Sequence, residues 1–351
     1  MLYARSLLAA LFAVGSLTAT LPQLPPLAKA TAPPAQRPGQ SPEDPRVVIR
    51  SRVELVVVPV TVKGSDGELI SDILPQEFRI FEDAVEQQIE LFSADPFPLS
   101  VALLIDNDLE QKTAEQLKRA LPSLAAGISE FDEVAVLYYD EYPRVLLEFT
   151  RDNDRLYDHL KRYEPAGRFP GIGSGPMTAG PRVNQQTQEA KVPTRVPTRG
   201  RAVKNLDDAI YAAAQILRGR DRERRKIIFL ISDGTNSPNN EVSYDDALKL
   251  LLSYDISVYA IGVGNVALGR AFNPLSRYAR ATGGDVFYAT SLAELESLFS
   301  RVTEQARNQY TLAYTPRGTD RSREYHEIEV RVRRPGLDIR ARDGYFSVPL
   351  P

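Results

Sequence analysis

The chain has 351 residues, 43% of them hydrophobic and 25% charged, enough for one large domain or two modest ones with packed cores. A formal net charge of −3 excludes the basic footprint of a nucleic-acid-binding protein. Cys is absent, which excludes disulfides, thiol nucleophiles, Cys-ligated zinc and a lipidated N-terminal Cys; the two histidines, His159 and His326, read as incidental polar positions.

Arg5 precedes the apolar run "LLAALFAVGSL" (7–17), which is too short to span a bilayer comfortably. Ala28-Lys29-Ala30 offers a small-x-small cleavage site. Residues 1–30 therefore read as a secretory signal peptide cut after Ala30 or earlier, with an uncleaved membrane anchor as the competing reading. Cleavage removes Arg5 and Lys29 and leaves a mature chain about five charges negative. No other segment is apolar enough to cross a membrane, so the product is expected to be secreted or periplasmic. Residues 31–46, "TAPPAQRPGQSPEDPR", form a stiff Pro-rich linker with nothing to bury.

A β-rich region follows. "VELVVVPVTV" (53–62) is a run of branched residues, "GSDG" (64–67) a turn, and "EFRIF" and "QQIELF" alternate apolar and polar residues as half-buried strands do. The same style returns at the C-terminus in "QYTLAYT" (309–315), "YHEIEVRVRR" (325–334) and "LDIRARDGYF" (337–346), with Pro335-Gly336 as a turn. Neither piece has enough strands for a stable sheet. Residues 47–96 and 308–348 together are expected to build one discontinuous β-sandwich of six or seven strands.

Residues 97–307 alternate β and α instead. "LSVALLID" (99–106) is a buried strand, followed by an amphipathic helix around 112–129, strands at 133–140 and 144–150 with hairpin-like spacing, and a short helix at 152–162. "KNLDDAIYAAAQILRG" (204–219) places Leu206, Ile210, Ala213, Ala214 and Leu217 on one helical face. "KIIFLISD" (226–233) is a second buried strand; "SYDDALKLLLSYD" is helix, "ISVYAIGVG" strand, "GDVFYAT" a short strand and "LAELESLFSRVTEQA" the final helix. This alternation predicts an α/β fold with a doubly wound, mainly parallel sheet and one antiparallel edge strand. Residues 165–203 interrupt it with six Gly, six Pro and six Lys or Arg against one Glu, a long basic loop expected to be disordered or functional. "RGRDRERRK" (218–226) reads as a solvated helix end and loop.

Ligands of doubly wound sheets bind beyond the C-terminal strand ends. Two buried strands end in acid, at Asp106 and Asp233, and Asp108 and Glu110 lie close by in "LLIDNDLE". Like charges so close repel and call for a positive partner. If the two strands are neighbours, all four carboxylates and the start of the 204–219 helix face one crevice.

These residues resemble the von Willebrand factor type A domain over roughly 97–307, through "LLIDNDLE", "KNLDDAIYAA", "IIFLISDGTNS", and "ISVYAIGVG" with "TGGDVFY". The resemblance implies a metal-ion-dependent adhesion site. Its first motif is Asp-x-Ser-x-Ser, its second a Thr two residues before a helix Leu, its third an Asp-Gly after a strand. Asp106 matches the first Asp, and Asp233 with Gly234 the last. Asp108 and Glu110 stand where the serines belong, and Lys204 where the Thr belongs. Four carboxylates would neutralise a metal and weaken its pull on a ligand's carboxylate. A protonated Lys cannot ligate a metal, so Lys204 is expected to replace it as an internal counter-ion. Two alternatives stay open: Ca²⁺ or Mg²⁺ held by Asp106, Asp108, Glu110 and Asp233 with Lys204 swung outward, and a solvated acidic loop without a partner.

The flanks add a narrower resemblance. From "VELVVVPVTVKGSDG" through "FRIFEDAVEQQIELF", and again in "QYTLAYTP" and "ARDGYF", the chain is similar to von Willebrand factor A-related proteins described from Acidobacteria. Ala84 stands where that pattern has Gly, which argues against a left-handed turn there.

The implied function is non-enzymatic: an exported adhesion or scaffolding module presenting loops near 106–111, 165–203, 233–241 and 264–273 to a protein or cell-surface ligand. The enzymatic alternative is a Mg²⁺-dependent phosphatase of haloacid dehalogenase type, with Asp106 as nucleophile, Asp108 as acid/base and Lys204 steadying phosphate. Glu110 departs from that motif, and the later acidic motif is weak. No nucleophile motif accompanies either His, and "GIGSGP" (171–176) precedes neither a helix nor a Lys, so neither Ser-His-Asp chemistry nor a phosphate loop is expected.

Overall fold

The structure is a computed structural model and describes residues 55–167, 204–264, 273–318 and 322–347. The expected signal peptide, the Pro-rich linker and the loop beyond Gly167 lie outside the described residues.

Branched residues give β1 (Val56–Lys63), followed by β2 (Phe78–Glu82), β3 (Val85–Gln87) and β4 (Leu91–Ser93). The α/β part runs β5 (Leu99–Asp106), α1 (Gln111–Leu124), β6 (Glu133–Tyr139), β7 (Pro143–Thr150), α2 (Asn153–Arg162), α3 (Leu206–Leu217), β8 (Arg225–Ser232), α4 (Tyr244–Ser253), β9 (Ile256–Val263), α5 (Pro274–Ala281), β10 (Val286–Ala289) and α6 (Leu292–Arg307). The chain closes with β11 (Tyr310–Tyr314), β12 (Tyr325–Val332), β13 (Asp338–Arg340) and β14 (Gly344–Phe346).

Six strands form the central sheet in the order β10-β9-β8-β5-β6-β7. All neighbours are parallel except β7, which pairs antiparallel with β6 at the edge. Every residue of β5, β8 and β9 is buried, as strands covered on both faces require. The period-2 alternation sorts their side chains. Val101, Leu103 and Ile105 pack with α1, α2 and α6, while Ala102 and Leu104 pack with α3, α4 and α5. The expected doubly wound α/β fold is thus present.

The flanks form two antiparallel four-stranded sheets, β13-β1-β11-β4 and β14-β12-β2-β3. Val58, Val60, Phe78, Ile80, Leu312 and Ile328 belong to one core shared by both sheets. There are eight strands rather than six or seven, because two predicted strands each divide. "QQIELF" supplies the end of β3 to one sheet and the start of β4 to the other. "LDIRARDGYF" gives β13 to the first sheet and β14 to the second. An alternating pattern marks extended backbone but says nothing of a change of partner.

Three other details differ from the sequence reading. The helix α5 has no counterpart in it. Asp83 and Ala84 adopt φ of 47° and 66°, so the β2–β3 turn is left-handed without Gly. The basic run around 218–226 is not simply solvated: Arg220 pairs with Glu133 at 2.5 Å, and Arg225 is buried.

Arg225 donates to Gln309 Oε1 at 2.7 Å, the Gln309 carbonyl at 2.6 Å and Thr311 Oγ1 at 3.0 Å. Its burial pushes its pKa down to about 10. Asp285, ahead of β10, receives Lys63 from β1, Arg340 from β13 at 2.8 Å and Gln305 from α6 at 3.2 Å. These bonds join the central sheet and its helices to the flanking strands. Among the described residues no helix is long and apolar enough to cross a membrane.

Gly284 lies so close to β9 that a Cβ there would sit 1.9 Å from the Val258 carbonyl oxygen. Gly284→Ala is therefore expected to cost about 3 kcal/mol and lower the urea midpoint. An unchanged midpoint would mean that the backbone approach is looser than the structure shows.

Candidate functional site

Because β5 and β8 are parallel neighbours, with Ile105 opposite Ile231, Asp106 and Asp233 leave the sheet on the same edge. Lys204 lies just before α3, not within it. Its carbonyl accepts the Ser237 amide at 2.7 Å, and the next amide, of Asn205, donates to the Asp140 carbonyl at 3.0 Å. This pinned backbone delivers the Lys204 ammonium between the two acids. Nζ lies 2.9 Å from Asp106 Oδ2 and 2.7 Å from Asp233 Oδ2. The Lys204 and Asp106 side chains are fully buried, whereas that of Asp233 is 16% exposed.

Asp106 accepts two further bonds, from Ser232 Oγ at 3.0 Å and from the Asp108 amide at 2.9 Å. Ser232 Oγ also bonds Tyr139 Oη at 2.8 Å, and Asp233 Oδ1 accepts the Thr235 amide at 2.9 Å. The two carboxyls share one cation but shift in opposite directions. Burial pushes Asp106 above the ordinary carboxylate range, despite the pull of Lys204. Burial acts the same way on the more accessible Asp233. There the Lys204 charge and hydrogen bond, with the Thr235 amide, outweigh it and hold the carboxyl low.

The structure thus brings Asp106, Asp233 and Lys204 together. Asp108 is buried beside them and gives its amide to Asp106, and Glu110 is exposed immediately before α1. Of the four expected carboxylates, Asp106 and Asp233 accept hydrogen bonds from Lys204 Nζ. An ammonium within 3 Å of both carboxylates occupies the position from which a divalent ion would bind them. With Lys204 protonated and in place, these residues do not fit such an ion.

A second layer escaped the sequence reading. Asn236 Oδ1 accepts the Leu206 amide at 3.1 Å, and Asn240 Oδ1 accepts the amides of Asp207 and Asp208 at 3.0 and 3.2 Å. The loop after β8 therefore caps α3 in place of that helix's own N-cap residue, satisfying orphan amides at its start. Asp207, nearly buried, accepts Tyr278 Oη and Asn236 Nδ2, each at 2.8 Å. The signal was present as the Asn-rich "GTNSPNN" (234–240), but its partner in sequence was unknowable. Gly234 has φ of 72°, and a Cβ there would lie 2.4 Å from Asn273 Oδ1, so this turn requires Gly.

The von Willebrand factor type A domain family model matches residues 180–301. The match begins after β5, so it includes Lys204 and Asp233 but not Asp106. No curated protein matches the chain. Among solved structures, the mussel byssus proximal thread matrix protein 1 is similar at 13% identity and TM-score 0.42, covering 62% of this chain. The chain spans 49% of that protein's length. BatB from Bacteroides thetaiotaomicron is 15% identical with a TM-score of 0.39, covering 59% of this chain and 98% of that one. A von Willebrand factor type A protein from Catenulispora acidiphila is 10% identical with a TM-score of 0.42, covering 85% and 75%.

Replacing Lys204 by Met leaves two buried carboxylates facing each other. The expected loss near neutral pH is about 3–5 kcal/mol, because an uncompensated buried charge remains. Without the cation both folded-state carboxyl pKa values rise above the unfolded value of about 3.9. The penalty is then absent below that value and grows as pH rises through it. Urea denaturation should accordingly show Lys204→Met approaching wild-type stability as pH falls toward about 4. An equal loss at both pH values would show that the carboxylates are not what Lys204 neutralises.

Proposed function

Because the chain carries a von Willebrand factor type A domain, we propose that it is an exported, non-enzymatic protein-binding module, for adhesion or scaffolding, whose ancestral-type metal position is filled by Lys204. The observation that carries this reading is the Lys204 ammonium bonded to both Asp106 and Asp233. An internal cation removes the need for a metal to hold the two strand ends together. It also removes the electrophile through which a metal-bearing site would engage a ligand's carboxylate. Recognition then falls to the surrounding loops, including 106–111 and 233–241, the second of which donates backbone amides to Lys204 and Asp208 at the start of α3.

The phosphatase alternative finds little support in this geometry. Asp106 is fully buried and already accepts bonds from Lys204, Ser232 and Asp108, so a phosphoryl group has no in-line approach to it. Export is part of the proposal and rests on the charged-then-apolar N-terminal pattern and the Ala28-Lys29-Ala30 site.

Calorimetric titration with Mg²⁺ tests the central claim. The wild-type chain is expected to give no binding heat in the micromolar range. The triple variant Asp108→Ser, Glu110→Ser, Lys204→Thr restores the metal-binding side-chain types and should gain it. Micromolar Mg²⁺ binding by the wild type, abolished by Asp106→Ala, would overturn the metal-free site.

A further inference from the structure

A second polar cluster lies far from the crevice in sequence, at the end of the flanking sandwich. Glu82 ends β2, Asp83 begins the left-handed turn after it, and His326 lies on β12. The antiparallel pairing that sets Glu82 opposite Ile328 brings His326 to this turn. His326 Nδ1 is 2.9 Å from Asp83 Oδ2 and 3.6 Å from Glu82 Oε1. One oxygen of each carboxylate is tied elsewhere. Asp83 Oδ1 accepts the Glu327 amide at 3.0 Å, and Glu82 Oε2 accepts Tyr345 Oη at 3.3 Å. The remaining oxygens are the ones directed at the imidazole. The ring itself is stacked on Tyr345, with centroids 5.1 Å apart and planes at 23°.

Glu82 is fully buried, and among the described residues its Oε1 has no hydrogen-bond partner. The hydroxyl of Tyr314, also fully buried, makes no hydrogen bond of ordinary length, but it faces the Glu82 carboxylate closely enough to donate weakly to it. It lies against Glu82, and burial together with that carboxylate pushes its pKa upward, keeping it a neutral hydroxyl. A buried carboxylate oxygen left unsatisfied is costly unless something charged completes it. The exposed Arg323 guanidinium, 3.8 Å from Asp83 Oδ2, offsets part of the charge on Asp83, so the buried Glu82 carboxylate is the one left to be completed. A divalent ion bound to a neutral imidazole would complete it.

From this geometry we infer that Glu82, Asp83 and His326 form a divalent transition-metal site, with Zn²⁺ the best-fitting ion. The three donor atoms lie within 4.8 Å of one another. Tetrahedral zinc with bonds of about 2.1 Å spaces its donors about 3.4 Å apart, between the two distances seen here. One imidazole nitrogen and two carboxylate oxygens suit zinc better than Mg²⁺ or Ca²⁺, which take oxygen ligands. Water or the Tyr314 hydroxyl fills the fourth position. Asp83 is the least buried of the three and gives the ion its way in. The tethers on the far carboxylate oxygens and the Tyr345 stack orient the ligands, as the outer partners of metal ligands commonly do. The ion would staple β2 to β12, so the site is structural in character.

The chain has two histidines, which makes the test direct. Imidazole ¹H–¹⁵N spectra of the full chain are recorded during titration with Zn²⁺ alone, and His159→Gln, at a half-buried position on α2, assigns the two signals. The His326 resonances are expected to move to a new position at one equivalent, with the thermal midpoint rising. Glu82→Gln should weaken binding by more than about tenfold. His326 signals unmoved by excess Zn²⁺ would overturn the site, whatever the rest of the chain binds. So would a Glu82→Gln variant that, folded by circular dichroism, binds Zn²⁺ as tightly as the wild type. Mg²⁺ should leave both His signals in place, which keeps this outcome separate from the crevice experiment.

Discussion

Three charges share a nearly dry space at the end of two central strands, and the Lys204 ammonium is what makes that arrangement tolerable. Parallel pairing of β5 with β8 sends Asp106 and Asp233 out of the same sheet edge, where mutual repulsion and lost hydration oppose folding. The strand order cannot relieve this, so relief comes from the segment leading into α3. The position of Lys204 is in turn enforced by Ser237 and Asp140 on the backbone around it. The loop after β8 then serves two ends: it presents Asp233 and caps α3. A change in any one of these elements is felt by the others through the same short hydrogen bonds.

The flanking strands are bound to the central sheet by a second group of buried charges. Asp285 gathers Lys63, Arg340 and Gln305, while Arg225 reaches from the start of β8 to the strand that follows α6. Such bonds add little net stability, since both partners give up water. Their directionality does fix one orientation, which apolar packing alone would leave loose. β1 and β11, which lie on either side of the α/β part in sequence, pair antiparallel and so close a loop of well over 200 residues.

The two polar clusters solve the same electrostatic problem by different means. At the crevice, two carboxylates receive the ammonium of Lys204 at the end of a long stem. At Glu82, Asp83 and His326, two carboxylates receive an imidazole, whose Nδ1 faces both of them. The first arrangement is self-contained. The second leaves a Glu82 carboxylate oxygen without a hydrogen bond of ordinary length.

Local pattern determined much of this protein without help from the fold. Largely apolar runs such as "LSVALLID" and "KIIFLISD" declare covered parallel strands, helical spacing declares α3, and two strands ending in acid declare where the crevice lies, because these signals are carried by neighbouring residues. The place of Lys204 near Asp106 was legible because a motif position fixed it. Everything that depends on meeting a distant partner was not. The splitting of "QQIELF" and "LDIRARDGYF" between two sheets and the capping of α3 by Asn236 and Asn240 are of this kind. So is the change of His326 from an incidental polar residue to the centre of a cluster with Glu82 and Asp83. A strand's sequence specifies which face is apolar. Which strand lies opposite, and so which polar groups lose their water together, is decided only when the chain closes on itself.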